Sequence, residues 1–249
     1  MDPIETFEAE RLKRIDALAA DAPFREQSRQ WLEDSMRRQY AYNFSWMGRP
    51  IIQNPVDIVA MQEIIWQVRP DLVIETGIAH GGSLILSASL LELNAACGGP
   101  ADAAVLGIDI DIREHNRQAI EAHPMARRID MIQGSSVAPE VIAQVQAAAA
   151  GKKRVFVSLD SNHTHVHVLA ELQAYAPLTS VGSYCVVFDT VIEDMPAGMF
   201  PDRPWGPGDN PKTALFEYLK THPEFEIDHA IDHKLLISVA PQGYLKRVR

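Results

Sequence analysis

Residues 71–96 read DLVIETGIAHGGSLILSASLLELNAA. Leu72-Val73-Ile74 is a short apolar run without polar alternation, the pattern of a strand covered on both faces. The mostly apolar stretch that opens on Gly81, Gly82 and Ser83 is long enough to be a helix. The unit is therefore strand, glycine-punctuated turn, helix, and the chain repeats its logic downstream. Strands are predicted over 103–110, 128–135, 153–160 and 182–190, with helices over 116–124, 138–151 and 163–177 between them. A Pro/Gly-rich loop from Met195 to Pro211 precedes a helix over 212–222 and two last strands, 225–228 and 234–241. Strand alternating with helix at this spacing predicts an α/β fold, a doubly wound, mostly parallel sheet of seven strands. The last two strands are joined too tightly for a helical crossover, so that pair is expected to be antiparallel.

Upstream, apolar residues recur at helical spacing between Ile4 and Arg38, with Ala22-Pro23 dividing the run into two helices. "NFSWMGRPIIQNP", 43–55, reads as a loop with aromatics, and 56–70 as a helix that Pro70 ends. This organisation predicts a helical extension over 1–54 and one α/β domain over 55–249. The 249 residues are 47% hydrophobic and 22% charged, enough for one sizeable core. A formal charge of −10 repels a phosphate backbone, so nucleic acid is not an expected partner. No stretch approaches the ~20 apolar residues of a membrane span. Cys97 and Cys185 stand in no metal or redox spacing and are expected to be buried free thiols. The acidic, mixed-charge start has no signal-peptide pattern, and a cytoplasmic protein is the expectation.

In open α/β sheets ligands bind beyond the carboxyl ends of the strands. Those ends carry Glu75-Thr76-Gly77, Asp109, Gly134-Ser135-Ser136, Asp160 and Asp189. Aspartates there are often only helix caps, but several acids together favour a ligand crevice. The turn after the first strand lacks the G-x-G-x-x-G spacing that seats a dinucleotide pyrophosphate. Glu75 suits a cationic amine instead, and Asp109 can accept hydrogen bonds from ribose hydroxyls. A cofactor with an amino acid at one end and a nucleoside at the other satisfies both.

With these motifs the chain resembles the class I S-adenosylmethionine methyltransferases, whose Rossmann-like sheet has seven strands and an antiparallel last strand. The E-x-G-x-x-x-G-x-S pattern of catechol-type O-methyltransferases falls on Glu75, Gly77, Gly81 and Ser83. The resemblance implies that Glu75 and Ser83 hold the methionine end and that Gly77, Ala79 and Gly81 form the cofactor loop. It assigns Asp109 to the ribose, Ser135 and Ser136 to the adenine-side turn, and Asp160 to the cofactor's reacting end. "YNFSWMGRPIIQNP", "ETGIAHGGS", "LDSNHTHVHV" and "WGPGDNP" are more closely similar to the cephalosporin hydroxylase and rhamnosyl O-methyltransferase family. That implies S-adenosyl-L-methionine as cofactor, a hydroxyl of a sugar or glycosylated small molecule as acceptor, and a homo-oligomer.

Methyl transfer to an alcohol needs a deprotonated oxygen, and a divalent cation stabilises one as a Lewis acid. Asp160 and Asp189, at neighbouring strand ends, are the expected oxygen ligands for Mg²⁺. Thr190 stands where catechol-type enzymes have Asn and offers a hydroxyl, while Phe188 removes a doubled acid, so the third ligand stays open. His163, three residues after Asp160, is expected in the first turn of a helix, where the dipole favours the neutral imidazole a base needs. With Asp160 it is the expected catalytic pair. Two alternatives are a zinc hydrolase using His163, His165 and His167, and a cofactor-binding protein without catalysis. On a helix the three histidines cannot share one ion. A hydroxylase would need iron ligands, for which His222 and Glu224 have local spacing only. The loop around Trp205 is expected to be a lid, and Tyr40, Tyr42, Phe44 and Trp46 to stack on a sugar or to pack.

Overall fold

The computed structural model describes residues 2–249. Two helices lead, α1 (Pro3–Ala20) and α2 (Ala22–Arg37). The Asp2 side chain accepts from the Ile4 amide, and Asp21 from that of Phe24, while Pro3 and Pro23 sit in first turns where a missing N–H costs nothing.

The stretch expected to be a loop contains a hairpin, β1 (Phe44–Trp46) against β2 (Arg49–Ile51). Met47 and Gly48 connect them with φ of 45° and 87°, the positive pair that a two-residue turn uses to match strand twist. Three-residue strands are too short for alternation to show in sequence. The hairpin lies on α4 (Gly82–Ala96): Trp46 Nε1 donates to Ser89 Oγ at 3.0 Å. A Cβ on Gly82 would collide with the Pro50 carbonyl.

After α3 (Pro55–Val68) and β3 (Leu72–Thr76), the chain runs through α4, β4 (Ala104–Asp109), α5 (Glu114–Glu121), β5 (Ile129–Gln133), α6 (Pro139–Ala149) and β6 (Val155–Leu159). It continues with α7 (His165–Tyr175), β7 (Tyr184–Val187), α8 (Pro211–Leu219), β8 (Phe225–Ile227), α9 (His229–Leu235) and β9 (Tyr244–Arg247). The sheet order is β5-β4-β3-β6-β7-β9-β8, with β9 antiparallel to both neighbours and the other pairings parallel. The expected seven-stranded doubly wound sheet is present. The last strand, however, is not at 234–241. Residues 229–235 form α9, capped by Asp228, which accepts from the Ala230 amide, and the strand starts at Tyr244.

Successive strand residues serve opposite cores. Val73, Val105, Phe156 and Val186 face α3, α4 and α9. Ile74, Leu106, Val157 and Val187 face α6, α7 and α8. This explains the continuous apolar strands, since each fully buried aliphatic contributes about 1.5–3 kcal/mol and neither face is available to polar groups. Cys185 is buried as expected, but Cys97, just past α4, is exposed. No helix among the described residues is long and apolar enough to cross a membrane.

Inside the first core Asp57 of α3 is completely buried. Its Oδ1 accepts from Ser238 Oγ at 2.6 Å and the Tyr244 hydroxyl at 2.8 Å, and its Oδ2 from the Val239 amide at 3.0 Å. Burial pushes its carboxyl up to about 6, against the opposing pull of these three bonds.

Gly82→Ala tests the seating of the hairpin. A helical Gly→Ala change ordinarily gains about 0.5–1 kcal/mol, whereas forcing a methyl into packed backbone costs about 1–3 kcal/mol. We expect net destabilisation in chemical denaturation, and an unchanged or raised midpoint would contradict the described packing.

Candidate active site

The sheet order reverses between β4-β3 and β6, and the crevice lies at this switch point, beyond the strand ends. A cavity of about 810 Å³ opens there. One wall is the loop after β3, with Gly77, Ile78, Ala79, His80, Gly82 and Ser83. Asp160, Ser161, His163 and Asp189 line it from the ends of β6 and β7. Its outer part is lined by Tyr40 and Tyr42 on one side and by Met199, Phe200, Arg203 and Trp205 on the other.

The loop after β3 is held from both sides. Asp109 Oδ2 accepts from the amides of Ile78 at 2.8 Å and Ala79 at 3.3 Å, and its Oδ1 from Asp111 N at 2.9 Å. Both carboxylate oxygens are therefore engaged rather than standing free for a ribose, and only Oδ1 keeps a lone pair. Asn116 Nδ2 donates to the Ala79 carbonyl at 2.9 Å. Arg49 Nε donates to the His80 carbonyl at 2.9 Å, and its Nη2 to Asn116 Oδ1 at 2.8 Å. This grip keeps Ala79 at φ 46°, a left-handed conformation that costs a non-glycine residue about 1–2 kcal/mol. Sequence reading missed Arg49 and Asn116, which lie far from the motif in the chain.

Glu75 does not line the cavity. It is 2% exposed and sits behind the first turns of α4, where it accepts a hydrogen bond from the Ser87 hydroxyl at 3.3 Å. Burial pushes its carboxyl up to about 7, and Ser83 and Ser87 oppose this. Its Oε1 is buried without a partner, an acceptor suited to a cation arriving on the Ser83 side. Ser135 and Ser136 also stand outside the cavity, on the turn after β5, with Ser136 Oγ 3.0 Å from His167 Nε2.

His163 precedes α7 instead of lying in its first turn: the helix begins at His165, with Thr164 at the N-cap position in extended conformation and the His165 amide donating to Asp209 Oδ1 at 2.6 Å. The macrodipole argument for His163 therefore does not apply. Its Nε2 is 3.1 Å from Asp189 Oδ2, and its ring meets Trp205 edge-on with centroids 5.2 Å apart. Asp160, His163 and Asp189 each present a donor atom within 4.8 Å of the others, the one such group among the described residues. Asp189 has φ 55°, which turns its side chain out of the strand direction. Burial, then the charge of Asp189, then that of Glu75, push the Asp160 carboxyl well above the ordinary range. Two carboxylates crowded in this way fit a divalent cation, whose charge removes the repulsion.

Thr190 does not join them. It is fully buried and donates its hydroxyl to the Pro241 carbonyl at 2.8 Å, so His163 occupies the third corner. The other histidines diverge. His165 Nδ1 pairs with Thr213 Oγ1 at 2.8 Å and its Nε2 with Glu217 at 3.2 Å, and His222 stacks on Tyr218. The three-histidine zinc centre does not form. Asn210 caps α8 by accepting from Lys212 N and Thr213 N, while the loop before it carries Phe200 and Trp205 into the cavity. Of the four aromatics upstream, Tyr40 and Tyr42 line the cavity, whereas Phe44 and Trp46 pack against the core.

Comparison with known proteins follows this geometry. The family model described as Rhamnosyl O-methyltransferase/CmcI matches residues 38–248. A rhamnosyl O-methyltransferase of Mycobacterium tuberculosis (strain H37Rv) is 32% identical over 210 residues, covering 82% of this chain and 78% of the relative. That of Mycobacterium leprae is 32% identical over 209 residues, covering 82% of each. Among solved structures, CmcI with Mg and SAM aligns with a TM-score of 0.55 at 19% identity, covering 84% of this chain and 78% of that one. An O-methyltransferase from Bacillus cereus with SAH gives 0.51 at 15% identity, over 90% of both chains. At these identities the structural likeness is one of fold.

The Glu75 carboxyl sets a pH dependence. A carboxyl raised in the folded state contributes stability below its ordinary value near 4.5 and loses it as pH rises through about 7. Glu75→Gln lacks that loss. Relative to the parent, the variant is expected to gain on the order of 3 kcal/mol of unfolding free energy between pH 4.5 and 8; parallel stability profiles would show that Glu75 does not titrate there.

Proposed function

The chain belongs to the Rhamnosyl O-methyltransferase/CmcI family and is an S-adenosylmethionine-dependent O-methyltransferase; on that premise we propose Mg²⁺-assisted methylation of a hydroxyl on a sugar or glycosylated small molecule. The observation that carries this reading is the convergence of Asp160, His163 and Asp189 on a cavity walled by the Gly77–Ser83 loop. Relatives named rhamnosyl O-methyltransferase support the sugar acceptor.

S-adenosylmethionine, when bound, supplies a methyl on a sulfonium. Gly77, Ala79, Gly81 and Ser83 would hold its methionine end, and Glu75 would attract the ammonium. Asp109 stands for the ribose, and Ser135 and Ser136 for the adenine side. Asp160 and Asp189 would hold a divalent cation, which would supply Lewis-acid stabilisation of a developing alkoxide worth several kcal/mol. Mg²⁺ prefers oxygen donors, which leaves the His163 imidazole outside the ligand set. Neutral His163, with Nε2–H donated to Asp189, keeps its Nδ1 lone pair for the acceptor's hydroxyl proton, since a ring nitrogen's tautomer follows the bond made by the other. Asp189 thus serves the cation with one oxygen and the base with the other. Phe200 and Trp205 exclude water from the reacting oxygen.

The catalytic domain is assigned to 55–249, and the extension over 1–54 contributes Tyr40 and Tyr42 to the acceptor side. The exposed Ile4, Phe7 and Leu12 on α1 support a homo-oligomer.

Methyl transfer to deoxysugar-bearing acceptors is expected to stop with chelator and return with Mg²⁺. Asp160→Ala is expected to lose most turnover while S-adenosylhomocysteine still binds. His163→Ala should lower kcat by roughly 10²–10⁴, the range of a general base. Transfer that chelator leaves untouched removes the cation from the mechanism, and transfer confined to acceptors without a sugar overturns the proposed substrate class.

A further inference from the structure

One face of α7 carries polar groups that packing alone does not require. Glu171 is fully buried. Its Oε1 accepts the Ser161 hydroxyl at 2.6 Å, and its Oε2 has no partner. One turn earlier, His167 brings Nε2 to 3.0 Å from Ser136 Oγ, 3.3 Å from Ser161 Oγ and 3.6 Å from Glu171 Oε1. One turn later, the Tyr175 hydroxyl donates to the Ser136 carbonyl. The spacing of four places 167, 171 and 175 on one side of the helix.

That side touches two turns that the sheet holds apart. Ser136 follows β5, whereas Ser161 follows β6 and is bonded to Asp160 in the chain, and β4 and β3 lie between the two strands. The backbone joins the two turns only indirectly, through the ladders of β4 and β3, so the side chains of α7 supply the direct link between them. A hydrolytic Ser-His-Glu triad is excluded by geometry: Ser161 and Glu171 both approach Nε2, while a triad needs its acid on the opposite ring nitrogen. A hydrophobic residue at 171 would pack without leaving an unmatched oxygen, so the buried carboxylate is costly unless it fixes something else.

We propose that Ser161, His167 and Glu171 are positioning residues that lock the Asp160–Ser161 turn to the Ser135–Ser136 turn, fixing the distance between the cation-binding carboxylate and the nucleoside end of the methyl donor. This rests on the reading that the donor spans these two turns. None of the three touches the reacting atoms. Glu171 holds Ser161, His167 bridges Ser161 to Ser136, and Tyr175 anchors the far turn by its backbone. The donor and the cation then meet a preset spacing rather than ordering it on binding.

The test is calorimetric titration of the purified full-length protein with S-adenosylhomocysteine and, separately, with Mn²⁺. His167→Ala is expected to weaken both ligands by roughly tenfold or more, as loss of a group supporting metal ligands commonly does. The KM for acceptor should stay unchanged while kcat falls. His167→Gln, whose amide reaches the Nε2 position, should recover most of both affinities. Ser136→Ala and Ser161→Ala delete one hydroxyl each and give the same direction if His167→Ala does not fold. Parental affinities for both ligands in these variants overturn the positioning role, whatever their melting temperatures. If the parent protein itself binds neither ligand, the reading of the site falls and this proposal with it; if only the variants match the parent, the site stands and the lock does not.

Discussion

Gly77 passes so close to the Asp160 backbone that a Cβ there would collide with the Asp160 carbonyl. The approach is possible because β3 and β6 are parallel neighbours in register, Thr76 opposite Leu159, and both strands end at the same level. Gly77 has φ 89°, a conformation open to glycine at little cost. From this contact the chain can turn away on both sides, leftward into the loop and α4, rightward into the turn before α7. The crevice is the space these departures leave. Any side chain at 77 would push Asp160 away from Asp189 and His163, so a steric limit on one residue fixes an electrostatic arrangement on three others.

That arrangement is strained in charge. Asp160 feels Asp189, Glu75, Glu171 and Asp57, in a chain whose formal net charge is already −10. Burial and like charge both resist ionisation, yet the surrounding packing holds the carboxylates together rather than letting them separate. Asp57 has a part in this. By gripping Ser238, Val239 and Tyr244 it fixes the segment whose Val239 carbonyl accepts from Val191 N, and whose Pro241 carbonyl takes the Thr190 hydroxyl. The turn that presents Asp189 is therefore pinned through α3, although none of α3's residues belongs to the Asp160–His163–Asp189 group.

Much of this was legible because the strands are buried on both faces and say so in unbroken apolar runs. The strand-end acids were legible for the same reason, as polar residues at the close of apolar segments. What failed depended on long-range contacts. Residues 234–241 carry the Leu, Ile and Val content of a strand, but Asp228 starts a helix before them and Asp57 captures the backbone after it. The hairpin is set by Met47 and Gly48 in a turn too brief to give period-two alternation. His163 stands outside the helix, one residue before the N-cap position held by Thr164. Thr190 lies next in sequence to a cation-site acid yet points its hydroxyl into the neighbouring segment, something adjacency along the chain cannot reveal. Arg49 and Asn116 left no local signal because their partners are backbone carbonyls of a distant loop.

The loop around Trp205 and the His163 ring are mechanically coupled. Glu193 accepts from Gly208 N at 2.7 Å and from Asn210 Nδ2, so the two ends of the loop between β7 and α8 are tied to each other and to the cap of α8. Within that closed loop Phe200 packs on Trp205 with centroids 4.8 Å apart, and Trp205 in turn meets the edge of His163. The imidazole is thus fixed by Asp189 at Nε2 and by Trp205 against its ring. An opening of the loop would admit water and release the ring in the same movement. In the proposed mechanism, proton acceptance and water exclusion are for this reason not separable: the Trp205 ring that closes the cavity also packs against the edge of His163.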